Sequence, residues 1–442
     1  MTRTAWRLVA DRIIPVEPGG IISPIDGSRP AIDIDRFGVI VGCGLEANLP
    51  PAPPDRRTVG GLLMPGLVNS HAHTPMTLMR SVGDGLPLRA WLTDAVWPRE
   101  GIMSPDDAFA GMLLGSVEML LAGVTTSCEM YLYEEELVRA VDQTGARMVI
   151  TPGVLAVLHA SSFGTGADRA EAIREFAALH HDPASRITVG VGPHSTYDLK
   201  PGQIGELASL ARDLDSFVHV HLEETQVERQ QVIADYGKPA TEVLAEVGVF
   251  DGAVLAAHGV WLSSSDRKIL SHANVSIAHN PVSNLKLGSG IMPLVETLAD
   301  GVRVGLGTDG PASNDNLSLW QELALAPLLS RGTNHNSQAI SADQALRLAT
   351  IDGARALGLD VGRLAPGCPA DIIRLDLDHP SLAPALEEDL VTSVVFAGGP
   401  HLVTDVWVAG MQVVAERGMT TVNTTAIVAD AKKRAQRLAR ES

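Results

Sequence analysis

Cysteine is scarce in this chain: Cys43, Cys128 and Cys368 lie far apart, with no CxxC pair among them. That excludes a disulfide framework and a thiolate zinc site, and the missing PCxxC segment excludes the cytidine-deaminase type of zinc centre. Positive charge is short as well. Against 52 Asp and Glu stand 34 Lys and Arg, for a formal net charge of -18; phosphate backbones are bound through basic surfaces, so nucleic acid is excluded as a partner. No apolar run approaches the roughly 18 residues of a membrane span, and Asp11 interrupts anything resembling a signal-peptide core. No membrane partner is expected, and the cytoplasm is the default location. No lysine precedes Lys200.

What is present is apolar. Hydrophobic residues make up 45% and charged residues 19%, a balance that fits a compact enzyme and argues against disorder. The first sixty residues read as short strands and turns, among them RLVADRIIPV and AIDIDRFGVIVG, and a matching signal returns after Gly358 in GRLAPGCPADIIRLDL, TSVVFAGG and DVWVAGMQVVAERG. The two ends are expected to pair as one small β-sandwich domain, residues 1–60 with 359–422. Between them, over 61–358, eight apolar strand candidates alternate with helical stretches: LVNSHAH, GVTTSCEMY, ARMVITPGV, RITVGVGPH, FVHVHLEE, AVLAAH, VSIAHNP and VRVGLGTD. Eight such units predict an α/β fold, a (β/α)8 TIM-type barrel with its active site at the strand C-terminal ends. A terminal helix is expected over 423–442, its five cations facing solvent.

The strand ends carry the chemistry. His71 and His73 close MPGLVNSHAHTPM; two apart on a strand, they face the same side and can share one cation about 2 Å away. VHVHLEET, VLAAHGVWL and VRVGLGTDGPASN each add a polar group at a strand end. The expected ligands are His71, His73, His221 and Asp309. Spacing alone leaves His219 and His221 equivalent; His221 is preferred because it puts Glu224 three residues on, where the chain turns into the pocket. The fourth strand ends at His194 and offers no lysine for a carbamylated bridge, so a single metal is expected.

Together, MPGLVNSHAHTPM, PHSTY, HLEET, AAH, HNPVSNLKLGSG and GLGTDGPASN closely resemble the amidohydrolase superfamily, in its cytosine/adenosine-deaminase and chlorohydrolase branch. The run from Thr74 to Pro98 looks most like the methylthioadenosine/S-adenosylhomocysteine deaminases. The resemblance implies one divalent cation, Zn(II) with Fe(II) as the alternative, a homo-oligomer, and hydrolytic loss of ammonia from an adenine-type nucleoside. Residue by residue, it makes Glu224 the acid that protonates the ring, His258 a hydrogen-bonding group at the developing tetrahedral oxygen, and Asp309 both ligand and proton acceptor. His194, Trp91 and Ser313 fall where relatives contact substrate. Arg89 is expected at the substrate as well, where some nucleoside-acting relatives carry an acid, and Pro152 follows Thr151 where some carry an arginine, which puts the sugar end of the substrate in question. Other small heteroaromatic substrates are the alternatives, an s-triazine, 8-oxoguanine or a pterin, and a metal-free scaffold protein is the third reading.

Overall fold

The computed structural model describes residues 4–156 and 167–442; His159, which carries no readable role, lies outside them. Eight strand positions alternate with helices. They are β1 (Leu67–Ala72), β2 (Val124–Tyr131), β3 (Arg147–Val154), β4 (Ile187–Val189, continued by Gly192–Pro193), β5 (Phe217–Leu222), β6 (Ala253–His258), β7 (Ser276–His279) and β8 (Arg303–Leu306). Each coincides with one of the apolar runs marked in the sequence.

Pairing is parallel throughout, in two sheets: β1 to β2, β3 and β4, then β5 to β6, β7 and β8. Isolated parallel bridges join the sheets at both seams, Val191 with Val218 and Ser195 with His221 at one, Ala72 with Asp309 at the other. Parallel strands need covering helices on the outside. Several of these helices begin at Ser boxes, for example Ser104 with Asp107 ahead of Pro105–Leu121 and Ser263 with Asp266 ahead of Ser264–His272, each tying down backbone donors that would otherwise be unsatisfied.

The chain ends pair with each other. Strand Ile372–Leu375 runs antiparallel to Leu62–Pro65 and to Val403–Val408, in a six-stranded sheet; a four-stranded sheet holds Trp6–Val9 between Pro30–Ile34 and Asp55–Thr58. One buried apolar cluster draws Leu8, Ile32 and Ile40 from the second sheet and Ile13, Leu63 and Trp407 from the first. The chain passes from the terminal sheet to β1 at Gly66, where an added Cβ would lie 2.1 Å from the Thr125 hydroxyl oxygen, a separation no side chain tolerates.

Helix Thr424–Glu441 is capped by the Asn423 side chain, which accepts from the Ala426 amide at 3.1 Å. Its cations do not all face water. Arg434 and Arg437 reach the buried Asp107 carboxylate at 3.2 and 2.5 Å, so two of the five cations read as solvated fasten this helix to Pro105–Leu121.

A second buried pair ties β3 to the terminal sheet: the Arg147 guanidinium donates to both Asp371 oxygens, at 2.7 and 3.1 Å, with both side chains almost wholly buried. Removing one partner of such a pair strands the other charge. Asp371→Ala is expected to lower unfolding stability by about 3–5 kcal/mol, measured by denaturant titration; a loss below about 1 kcal/mol, the surface-pair value, would refute it.

Candidate metal centre and active site

The C-terminal ends of β1, β5, β6 and the turn after β8 converge. Nε2 of His73 lies 3.2 Å from Asp309 Oδ1 and 3.3 Å from His221 Nε2, and Nε2 of His71 lies 3.4 Å from the same Asp309 oxygen. Ligand atoms of His71, His221, His258 and Asp309 all fall within 4.8 Å of one another, the one such group of three or more found among the described residues. All of these side chains are buried.

The other ring nitrogens explain why the Nε2 atoms face inward. Nδ1 of His73 donates to the Met130 carbonyl at 2.6 Å, Nδ1 of His221 to the His194 carbonyl at 2.8 Å, and Nδ1 of His258 meets Asn284 Oδ1 at 2.8 Å. A carbonyl oxygen only accepts, so the proton sits on Nδ1 and Nε2 keeps its lone pair. Nδ1 of His71 meets His219 Nε2 at 2.8 Å, and His219 Nδ1 meets the Thr151 hydroxyl at 3.0 Å. His219 therefore faces the back of His71 and not the centre, which separates it from His221. Nε2 of His71 is buried without a hydrogen-bond partner; an orphaned acceptor is costly unless something binds it. A donor set of imidazole nitrogens and one carboxylate oxygen suits a divalent transition ion.

Local backbone geometry serves the same end. His258 and Asp309 take left-handed φ values of 78° and 60° at the strand ends, strain of the kind found where a functional side chain must be aimed. Gly307 lets the segment before Asp309 lie against β1: a Cβ there would meet Asn280 Oδ1 at 2.4 Å and the His71 Cβ at 2.9 Å.

Burial and neighbouring charge set the protonation states. Burial pushes His71 down to about 3 and lowers His221 and His258, which keeps their lone pairs available. For His73 burial also works downward, but the adjacent Asp309 carboxylate prevails and the group is raised. Burial opposes ionisation of Asp309 too, yet the imidazoles of His71 and His73 beside it hold it well below the carboxylate range. Its Oδ2 accepts from the Ser283 hydroxyl at 2.6 Å and the Ser313 hydroxyl at 3.0 Å. Glu224 stands opposite, its Oε2 3.9 Å from His258 Nε2; burial, reinforced by the Asp309 charge, raises it to about 8.

A cavity opens onto this cluster, lined on one side by Leu88, Trp91, Leu92 and Trp97 and on the other by Leu132, Leu155 and Tyr197, with His194 and Glu224 in its wall. The indole of Trp91 is anchored by a 2.9 Å bond to the Val82 carbonyl. Two residues expected at the substrate sit elsewhere. Arg89 is exposed and outside the lining, because the helical spacing that turns Leu88, Trp91 and Leu92 inward turns position 89 outward. Ser313 is buried on Asp309 and does not line the cavity.

Three side chains near the centre have no role in the sequence reading. Ser283 holds Asp309, as above. Glu228 accepts from the Glu224 amide at 2.8 Å and the Thr196 hydroxyl at 3.3 Å; its only sequence signal is the one-turn spacing from Glu224. Glu100 ends helix Trp97–Glu100, lines the cavity and is 7% exposed; an acid closing the apolar run AVWPRE was the available cue.

The amidohydrolase family model matches residues 62–435. A 5-methylthioadenosine/S-adenosylhomocysteine deaminase from Pelotomaculum thermopropionicum is 38% identical over 434 residues, covering 98% of this chain and 93% of the relative. A 5'-deoxyadenosine deaminase from Methanothermobacter thermautotrophicus is 41% identical over 337 residues, 75% of this chain and 78% of that one. Among solved structures, an adenosine deaminase from Xanthomonas campestris with bound zinc superposes with a TM-score of 0.91 at 31% identity, covering 99% of both chains. An atrazine chlorohydrolase from Arthrobacter aurescens complexed with zinc gives 0.85 at 25% identity, over 97% of this chain and 100% of the other. With a family match running from the strand before β1 into the terminal helix, and a histidine and aspartate cluster at the strand ends it spans, the chain belongs to the amidohydrolase family.

Proposed function

We propose that the protein is a metal-dependent hydrolytic deaminase of adenine-type nucleosides, such as methylthioadenosine or 5'-deoxyadenosine. The observation that carries the reading is the convergence of imidazole Nε2 atoms and the Asp309 carboxylate beside the buried Glu224, in the wall of an apolar cavity. Relatives that act as 5-methylthioadenosine/S-adenosylhomocysteine and 5'-deoxyadenosine deaminases support it.

In this reading the eight parallel strands form one barrel, closed by the seam bridges, with residues 61–358 as its domain. Residues 1–60 and 359–422 form a β-sandwich around the cluster of Leu8, Ile32, Leu63 and Trp407, and 423–442 the terminal helix. A cytoplasmic homo-oligomer belongs to the same proposal.

His71, His73, His221 and Asp309 hold one divalent ion, with Zn(II) favoured by the zinc-bound neighbours. When bound, it supplies a Lewis-acidic centre that brings the pKa of its water toward about 7. Asp309, its Oδ2 held by the Ser283 and Ser313 hydroxyls, takes up the proton the attacking water releases and returns it to the departing nitrogen, so that ammonia leaves. Glu224 Oε2 gives its proton to the ring nitrogen beside the attacked carbon and recovers one from the added hydroxyl group as the carbonyl forms and ammonia leaves. His258, its Nδ1 fixed by Asn284, steadies the oxygen that develops there. His194 and Trp91 bound the ring.

The assay is ammonia release across adenosine, methylthioadenosine, S-adenosylhomocysteine, 8-oxoguanine, pterins and amino-triazines. Turnover of the adenine nucleosides is expected; ammonia from none of them, with zinc present, would overturn the reading. The likeness to an atrazine chlorohydrolase favours a second reading, halide loss from a triazine, which chloride release tests.

A pH profile follows. Glu224 works as the acid, and its value is raised to about 8, so the active protonation state is full below that value and is lost as pH rises through it. kcat/KM is expected to fall about tenfold per unit above it. A profile flat through the alkaline range would contradict this role.

A further inference from the structure

Glu322 is wholly buried on the outer helix Leu319–Thr333, outside the cavity lining, and the ring chemistry leaves it without a task. Burying a carboxyl group is costly unless its oxygens are bonded, and both are. Oε1 accepts from the Asn314 side-chain amide at 2.6 Å and Oε2 from the Val282 main-chain amide at 3.0 Å. The two donors belong to different loops: Val282 to helix Pro281–Lys286 after β7, Asn314 to the turn Pro311–Asn314 after Asp309. One carboxyl group thus clamps both loops to each other and to the outer helix.

Each loop bears on the cluster. The Asn314 amide also donates to the Thr308 carbonyl at 2.7 Å, fixing the peptide that leads into Asp309, whose φ of 60° persists only where the surroundings over-determine it. Val282 precedes Ser283, whose hydroxyl donates to Asp309 Oδ2 at 2.6 Å, and Asn284, whose Oδ1 meets His258 Nδ1 at 2.8 Å. Burial pushes Glu322 up to about 8, and neither of its bonds depends on the charge, since a carboxyl oxygen accepts in both protonation states. We propose that Glu322 is a positioning residue: by holding the loops after β7 and β8 together it aims Asp309 at the metal and His258 at the reacting oxygen.

The proposal rests on the deaminase reading for its rates, and its metal arm stands apart from them. Glu322→Gln keeps the volume, but its amide nitrogen can only donate and must face one of the two donors. Zn(II) affinity, read by chelator competition, is expected to fall about tenfold, the usual loss for a group that orients a ligand from outside. At saturating Zn(II), kcat for ammonia release from 5'-deoxyadenosine should fall by about the same factor with KM within about threefold, because Glu322 does not line the cavity. Asn314→Ala cuts the same link from its other side and carries the test should the Gln variant fail to fold. In the double variant the losses should not multiply, staying within about threefold of the worse single one. Asp371→Ala weakens the fold at the terminal sheet and should leave both affinity and kcat within about threefold of wild type. Zn(II) affinity within about threefold of wild type in Glu322→Gln and Asn314→Ala overturns the proposal; so do losses that multiply in full, or an equal loss in Asp371→Ala. No ammonia from the wild type would count against the deaminase reading, and the Zn(II) competition then decides on Glu322 alone.

Discussion

Glu224→Gln is expected to lower kcat by about 10^3-fold while leaving about one metal ion per chain. The amide keeps the volume and one acceptor of the carboxyl group but has no transferable proton at neutral pH. A positioned acid contributes about 10^2- to 10^4-fold to a reaction of this type, about 3–5 kcal/mol of barrier. Glu224 suits the task because it is protonated near neutrality: burial raises it to about 8, and the Asp309 charge works in the same direction. The value of the neighbouring Glu228 is also raised to about 8, by burial and then by the Glu224 charge, so Glu228 resists ionising while Glu224 is charged. The Gln variant retains the Glu228 bond to the residue 224 amide, so its main chain stays in place. Metal content by elemental analysis and ammonia release together decide the matter. Activity within tenfold of wild type would remove Glu224 from the chemistry, and loss of the metal would make it a structural member of the cluster.

The strands were legible because parallel strands buried on both faces are continuous apolar runs, and in this chain nearly every run ends in a chemically capable side chain. The pattern places His71, Asp309 and His258 at strand ends without knowledge of the fold. What tunes them was hidden for a physical reason. The groups that orient His73 and His221 are main-chain carbonyls, of Met130 and His194, and every residue type carries a carbonyl. Likewise the hydroxyls on Asp309 come from Ser283 and Ser313, 26 and 4 positions away, and only folding brings the first of them there. Arg89 misled because it was judged by its place before the Trp91-Leu92 pair, whereas the helical turn decides which positions face the cavity. The start of β1 was also blurred: MPGLVNSHAH is one apolar run, yet Leu62–Pro65 pairs with Ile372–Leu375 in the terminal sheet, and only the close approach of Gly66 to Thr125 marks the crossing.

Metal content should fall from about one ion per chain to near zero in His73→Ala, whereas His258→Ala should keep its metal and lose at least about 10^2-fold in kcat. The two histidines compete for the same description. Sequence spacing puts His73 among the ligands, while the set of donor atoms that all lie within 4.8 Å of one another includes His258 in its place. Their surroundings distinguish them. Nε2 of His73 lies between Asp309 Oδ1 and His221 Nε2, at 3.2 and 3.3 Å, with its Nδ1 turned to the Met130 carbonyl at 2.6 Å. Nε2 of His258 borders Glu224 instead, at 3.9 Å, on the side from which a substrate would meet the acid. A zinc ion with three or four protein ligands keeps one position for water, and a group placed like His258 can steady what occupies that position without binding the ion. His219→Ala supplies the graded control: it leaves every ligand in place but frees His71 Nδ1, and loss of such an orienting partner costs about 10- to 100-fold in metal affinity. Should His258→Ala empty the site while His73→Ala keeps it filled, the ligand set would be the one given by proximity, and the oxygen-steadying role would pass to His73.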